Sequence, residues 1–271
     1  MLNQILHLAR ELSIPEEMTA QLPAIWAGLD MEQLSPHIHA MTVQEQEPTA
    51  YESLTKIFAD TDPDGLKMLA CQLRAALQTR ENYAQKGISD TIFIDTMKCF
   101  ARYSRESFAM RGRYTFDRGW WVWRQLSIRL VRLGVLEFEY RADLDAISVH
   151  IPSDAVMTVD GLHESYDMAK EFYIQQNITY KEIYCRTWLL SPVLKEILPP
   201  ESRILNFQRD YKITELFPDS TSFMRWVYHK EYGQAIEDVA GLPENTTLQR
   251  EIKKLLLAGK TVGDAYGRLI Y

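Results

Sequence analysis

Leu133-Gly134-Val135-Leu136-Glu137-Phe138-Glu139-Tyr140, followed after an acidic turn by Ile147-Ser148-Val149-His150-Ile151, is the stretch on which the fold class turns. Leu136, Phe138 and Tyr140 alternate with Glu137 and Glu139, and Ile147, Val149 and Ile151 alternate with Ser148 and His150, which is the two-residue period of a strand. The acidic residues between the runs make them an antiparallel hairpin. Aligning the two apolar faces leaves one register, with Glu137 opposite His150 and Glu139 opposite Ser148. Carboxylates and an imidazole then share a face, a combination that raises the basicity of the ring, fixes its tautomer and can take a proton from an amine. The plainer alternative is the solvent-facing polar side of a hairpin.

Upstream of Gly134 the spacing is helical. Leu2, Ile5, Leu6, Ala9 and Leu12 form one stripe ending before Pro15, and short helices are expected through Trp26 and Leu34. Tyr51, Leu54, Ile57 and Phe58 mark another helix. Leu66, Leu69, Ala70, Leu73 and Leu77 give the clearest one, running from Pro63 toward Gly87. A further helix starts at a Ser89 or Asp90 cap and carries Ile92, Phe93, Met97, Phe100 and Tyr103, so the first half reads as a helical bundle. Across 118–133 the spacing predicts a helix, with Trp123, Leu126, Leu130 and Leu133 on one stripe and Arg118, Gln125, Arg129 and Arg132 on a solvated one. Arg124 falls among Trp121, Ile128 and Val131, where its guanidinium requires a carboxylate or carbonyl partner.

Downstream, Leu162, Tyr166, Ala169 and Tyr173 form a helix stripe, 183–188 reads as a buried strand, and Ser191-Pro192 opens a short helix. Two more strands are expected at 204–211 and 223–228. A last helix begins at Thr246, where Gln249 completes a capping box, and stops at Gly259. The chain is thus expected to be an α/β protein of the α+β kind: a helical domain over 1–117, then a mixed strand-and-helix domain over 118–271.

At 271 residues, nearly half of them apolar and a quarter charged, the chain can bury its own core without an exotic stabiliser. Its formal charge of −7 argues against a general nucleic-acid binder, which needs a clustered excess of Lys and Arg. No stretch has the length and apolarity of a membrane span, and Arg10, Glu11, Glu16 and Glu17 break any secretory signal at the amino terminus. Cys71, Cys99 and Cys185 are odd in number and lack CxxC spacing, so they are expected to be reduced, buried thiols of a cytoplasmic protein. Asp60, Asp62, Asp64 and Gly65 imitate the opening of an EF-hand loop, but Cys71 stands where the bidentate Glu belongs and Pro63 intrudes; a solvated, Asp-rich helix start is the simpler reading. His37 and His39 lack a third ligand, and no metal is assigned. Walker, nucleophile-elbow, HExxH and GxGxxG patterns are absent.

The run Trp123-Arg124-Gln125-Leu126, then 131–139 and His150-Ile151-Pro152-Ser153, resembles a family of bacterial proteins called acyltransferase-domain-containing. These pair a helical N-acyltransferase N-terminal domain with a GNAT-like C-terminal domain. Further similar pieces are Cys185-Arg186-Thr187-Trp188-Leu189-Leu190-Ser191-Pro192, Leu198-Pro199, Ser202 to Phe207, and Leu242-Pro243 with Thr247-Leu248-Gln249 and Gly259; over the first half the likeness rests on Asp95-Thr96 and the helical layout. The resemblance implies a GNAT-like mixed sheet in which strands and helices alternate as 146–151, 162–176, 181–188, 192–198, 203–209 and 222–229.

It also implies transfer of an acyl group from acyl-coenzyme A, acetyl or longer, to the amine of a small molecule or peptide. The pantetheine would lie by the first of these strands, near Ile151 and Ser153, and the pyrophosphate at the following helix start, near Gly161 and Leu162. In that scheme Glu137 or Glu139, with His150, deprotonates the amine for direct attack on the thioester, and Tyr184 or Tyr228 protonates the leaving thiolate. The loop over 152–162 departs from the superfamily's usual Arg or Gln with paired glycines, offering only Gly161 beside Asp154 and Asp160. That departure carries the alternative, a non-catalytic GNAT-like ligand-binding or protein-interaction module. No nucleic-acid or membrane partner is expected, and a homodimer stays open.

Overall fold

The computed structural model describes residues 1–230 and 238–271. The chain divides into two compact units, Met1–Leu133 and Gly134–Tyr271. The 118–133 segment, expected as one helix, is not one. Helix α9 (Gly119–Leu126) ends at the Ser127 cap, Ile128 takes a left-handed φ of 60°, and strand β1 (Leu130–Leu133) follows. A β-branched residue is strained there, and the reversal it makes breaks the expected stripe between Leu126 and Leu130.

The first unit is helical: α1 (Leu2–Glu11), α2 (Glu16–Thr19), α3 (Leu22–Ala27), α4 (Met31–Ala40), α5 (Glu47–Phe58), α6 (Leu66–Gln85), α7 (Asp90–Met97), α8 (Cys99–Arg111) and α9. Helix α6 is its centre and packs against α1, α3, α4 and α9. It is buried on more than one face, and Ala70, Ala75 and Ala76 keep it slim enough for neighbours to approach. Two of its polar side chains grip the ends of α9: Gln72 donates to the Gly119 carbonyl at 2.9 Å and Thr79 to the Leu126 carbonyl at 2.7 Å. The Asp-rich segment before α6 is a helix cap. The two carboxylate oxygens of Asp62 accept the backbone N–H groups of Lys67 and Met68, each at 2.9 Å, which accounts for the EF-hand imitation.

The basic stripe expected to be solvated is instead largely paired inside this unit. Arg118 is buried against Glu106 at 3.1 Å, and Arg129 reaches the fully buried Glu47 at 2.7 Å. Arg124 finds aromatic company, its guanidinium carbon lying 4.1 Å from the Trp121 ring centre and 4.0 Å from that of Trp123.

The second unit is built on a mixed sheet of order β1-β2-β3-β4-β6-β5, whose first strand is the stretch just before the division point. Its own strands are β2 (Leu136–Arg141), β3 (Ala146–His150), β4 (Glu182–Thr187), β5 (Tyr211–Phe217) and β6 (Asp264–Leu269), with helices α10 (Val159–Gln175), α11 (Leu194–Ile197), α12 (Arg203–Arg209), α13 (Phe223–Tyr228) and α14 (Thr247–Leu257). The β2–β3 hairpin has the register read from the sequence, Glu137 opposite His150 and Glu139 opposite Ser148. Helix α10 crosses over to bring β4 parallel to β3, and its stripe of Leu162, Tyr166, Ala169 and Tyr173 is buried as expected.

Two expected strands are helices. Residues 203–209 form α12, opened by Ser202, whose hydroxyl accepts the Ile204 N–H, and 223–228 form α13; the closing strands are β5 and β6. Apolar runs of six or seven residues fit either period, and the Ser202 cap was the signal that favours helix. The capping box at Thr246 and Gln249 is present, and Gly259 takes a φ of 75° after α14.

Candidate active site

One face of the second unit's sheet carries its polar chemistry. Pairing runs across four strands from Glu139 on β2 to Ser148 on β3, Tyr184 on β4 and Arg268 on β6. Registered neighbours point to the same side of a sheet, so these four side chains share a face with Glu137 and His150, two residues away along β2 and β3. The opposite face, with Leu136, Phe138, Ile147, Val149 and Cys185, is the apolar one. The polar face is not the solvent-washed side of a hairpin: Glu137 is 2% exposed, Glu139 4% and Ser148 7%.

Within it the imidazole has a definite carboxylate. His150 Nε2 lies 3.0 Å from Glu139 Oε2, a diagonal contact, although the Cα opposite His150 belongs to Glu137. A carboxylate only accepts, so in the neutral ring the proton of this bond sits on Nε2 and the lone pair on Nδ1. The ring remains a quarter exposed while its carboxylate is buried.

The backbone beside this pair is irregular. The parallel ladder between β3 and β4 stops at Ser148 and Tyr184, yet β3 runs on to His150 and β4 to Thr187. Beyond the last rung the Val149 carbonyl accepts from the Cys185 thiol at 3.3 Å. The strands therefore part at the position where His150 stands. Burial pushes that thiol's pKa well up, so it stays a protonated donor. Cys71 and Cys99 are likewise buried and unbridged.

Tyr184 sits on the rim of this opening, buried, with its ring stacked on Tyr266 at 4.8 Å and 17°. Tyr228, the other expected proton donor, is elsewhere in character. It closes α13, its hydroxyl donates to the Gln249 carbonyl at 2.7 Å, and burial, with the Glu244 carboxylate, pushes its pKa up to about 12. The strand face on which that expectation rested does not exist.

The residues expected around the cofactor divide as well. Ile151 and Ser153 follow β3 directly, in the loop that leads from the opening to α10. Gly161 and Leu162 lie in the first turn of α10, where Thr158 is the cap and its hydroxyl accepts the Gly161 N–H at 3.2 Å. Leu162 is fully buried in the core. Asp160 places a negative charge in the same turn, the reverse of what a phosphate prefers. The start of α10 thus fits a phosphate poorly.

A helical unit followed by a mixed sheet with one parallel pair, opening beside a carboxylate–imidazole couple, has the layout of the N-acyltransferase and GNAT-like domain pairing. The chain belongs to the GNAT-like C-terminal domain family, whose model matches residues 130–269, and residues 3–128 match the N-acyltransferase N-terminal domain. No curated protein matches it by sequence. Among solved structures it is similar to an acyltransferase in complex with decanoyl-CoA and teicoplanin, and to an acyltransferase in complex with CoA and 10C-teicoplanin. Each has a TM-score of 0.80 at 20% identity, over 97% of this chain and 86% of that one. A mutant acyltransferase in complex with octanoyl-CoA gives the same values, a TM-score of 0.80 at 20% identity. At that identity the likeness is one of fold. Among the described residues no helix is long and apolar enough to cross a membrane.

Proposed function

We propose that the protein is an acyl-CoA-dependent N-acyltransferase and that the carboxylate–imidazole couple of Glu139 and His150 is its general base. The observation that supports this reading furthest is the parting of β3 and β4 at Ser148 and Tyr184, directly beside His150. A thioester in that opening has its carbonyl carbon within reach of an amine held by His150. Nδ1 takes the amine proton while Glu139 holds the ring and steadies the imidazolium. The amine nitrogen attacks the thioester carbonyl, the carbon–sulfur bond breaks, and Tyr184 on the rim returns a proton to the thiolate, leaving an amide and free CoA. Glu137, directly opposite His150, adds charge to the same face.

Acyl-CoA ligands of the structurally similar acyltransferases, decanoyl-CoA and octanoyl-CoA among them, support an acyl-CoA donor here, and teicoplanin beside decanoyl-CoA in one of them supports a small-molecule acceptor. In this reading the pantetheine runs by Ile151 and Ser153, and the pyrophosphate reaches the Gly161 end of α10 despite the Asp160 charge there. A second reading, a binding module without turnover, draws its support from that turn, where Thr158 engages the Gly161 N–H and Asp160 adds charge.

Thermal unfolding with CoA, acetyl-CoA, octanoyl-CoA and decanoyl-CoA, followed by release of free thiol with a panel of amines, tests both. A concentration-dependent rise in midpoint with thiol release that needs an amine supports the enzyme. A rise without any release supports the module, and no rise with any of the four ligands overturns the enzyme and favours a non-catalytic module.

A further inference from the structure

We propose that Arg186 binds a carboxylate of the amine acceptor, so that the acceptor is an amino acid or peptide whose free carboxylate lies a few bonds from the reacting nitrogen. The inference rests on the acyltransferase reading above. Arg186 is in register with Tyr266 on β6 and stands two residues beyond Tyr184, the last β4 residue paired with β3. His150 stands two residues beyond Ser148, the β3 partner in that same rung. The two residues therefore flank the opening on the same side of the sheet, where they would have been neighbours had the ladder continued.

The guanidinium is held but not neutralised. Its carbon lies 3.8 Å from the centre of the Phe217 ring, a cation–π contact that leaves its N–H donors to other partners. Arg186 is exposed, and among the described residues no carboxylate comes within ion-pair distance of it. The acids on the neighbouring strands are engaged elsewhere. Glu182 accepts the Tyr266 hydroxyl at 2.7 Å, with Arg268 Nε 3.7 Å from its other oxygen, and Asp264 accepts the Ser222 hydroxyl at 2.5 Å.

The acceptor, and not the donor, is the partner this position suits. In the reading above the amine lies against His150, and Arg186 is across the opening from it on that face. Helix α10, whose start would take the pyrophosphate, packs on the other face, where Tyr173 of its buried stripe lies 6.5 Å from Tyr140 between ring centres. A carboxylate matches the planar fork of a guanidinium, and its single charge is repelled less by Glu137 and Glu139 than a phosphate dianion would be.

Product analogues that carry both ends of such an acceptor test the assignment in the whole protein. Apparent affinities are taken from unfolding midpoints with N-octanoyl-glycine, N-octanoyl-β-alanine and N-octanoyl-γ-aminobutyrate, each against its carboxamide, and with CoA and octanoyl-CoA. Wild type should bind at least one carboxylate about fivefold more tightly than its amide. Arg186→Gln should abolish that preference and leave the affinities for CoA and octanoyl-CoA unchanged, and Arg186→Lys should keep part of it. A preference absent from wild type, or kept by Arg186→Gln, overturns the assignment, and octanoyl-CoA binding then leaves the acyltransferase reading standing. Weaker CoA binding in Arg186→Gln assigns the guanidinium to the donor phosphates and overturns it as well. If wild type binds neither octanoyl-CoA nor CoA, the acyltransferase reading falls first and the role of Arg186 with it.

Discussion

Glu139 Oε2 lies 3.0 Å from His150 Nε2, while the residue directly across the hairpin from His150 is Glu137. Of two carboxylates on the same strand and the same face, the diagonal one lies against the ring. Glu139→Gln and His150→Gln should each lower acyl transfer by about 10²- to 10⁴-fold, the usual worth of a positioned base, and Glu137→Gln by clearly less. Free-thiol release checks this, with far-ultraviolet circular dichroism to verify folding. Equal losses at Glu137 and Glu139 would remove the distinction.

Tyr228→Phe separates a proton donor from a structural hydroxyl. Its bond to the Gln249 carbonyl ties α13 to α14, so the variant should lose about 1 kcal/mol of stability in urea titration, the usual net worth of such a hydrogen bond. Turnover should stay within about twofold of wild type, well short of a general-acid loss.

Arg129→Met leaves the Glu47 carboxylate fully buried without its cation, since Arg129 contacts Glu47 Oε1 at 2.7 Å, with the Ser127 hydroxyl at 3.3 Å as a weak second donor. A loss of about 3–5 kcal/mol is expected from uncovering one partner of a buried pair. Glu47→Leu combined with Arg129→Met should recover most of it, and denaturant midpoints of wild type, single and double variants decide the point.

Arg80 grips Glu11 and Asp90 at once, with nitrogen–oxygen distances of 2.6 to 3.0 Å. The guanidinium holds both carboxyls below the usual carboxylate range. Because the folded values are the lower ones, the stabilisation is fully present above the unfolded range near pH 4 and fades as pH falls through the depressed values. Arg80→Gln should therefore cost about 1 kcal/mol at pH 7, discounted for the exposure of all three groups. The difference in unfolding midpoint from wild type should shrink below about pH 3. A difference independent of pH would place the effect in the packing of Arg80 on Phe93 instead.

The sequence disclosed the hairpin down to its register, because strict alternation on both strands admits one alignment, and it disclosed the α10 stripe and the Thr246 cap for similarly local reasons. What it withheld was decided at a distance. The diagonal partnership of Glu139 and His150 depends on side-chain reach across the pleat, which spacing does not specify. The segments 203–209 and 223–228 are too short for their period to distinguish helix from strand, and their packing settled the matter. The basic stripe of Arg118 and Arg129 looked solvated because Glu106 and Glu47, their partners, are remote in sequence. The end of the β3–β4 ladder left no mark on residue type at all.

That last feature bears on how such a protein changes over time. A groove created where main chain separates from main chain asks almost nothing of the side chains around it, so substitutions can accumulate without closing it. The place where two strands stop exchanging hydrogen bonds is set by the backbone, and no motif can spell it.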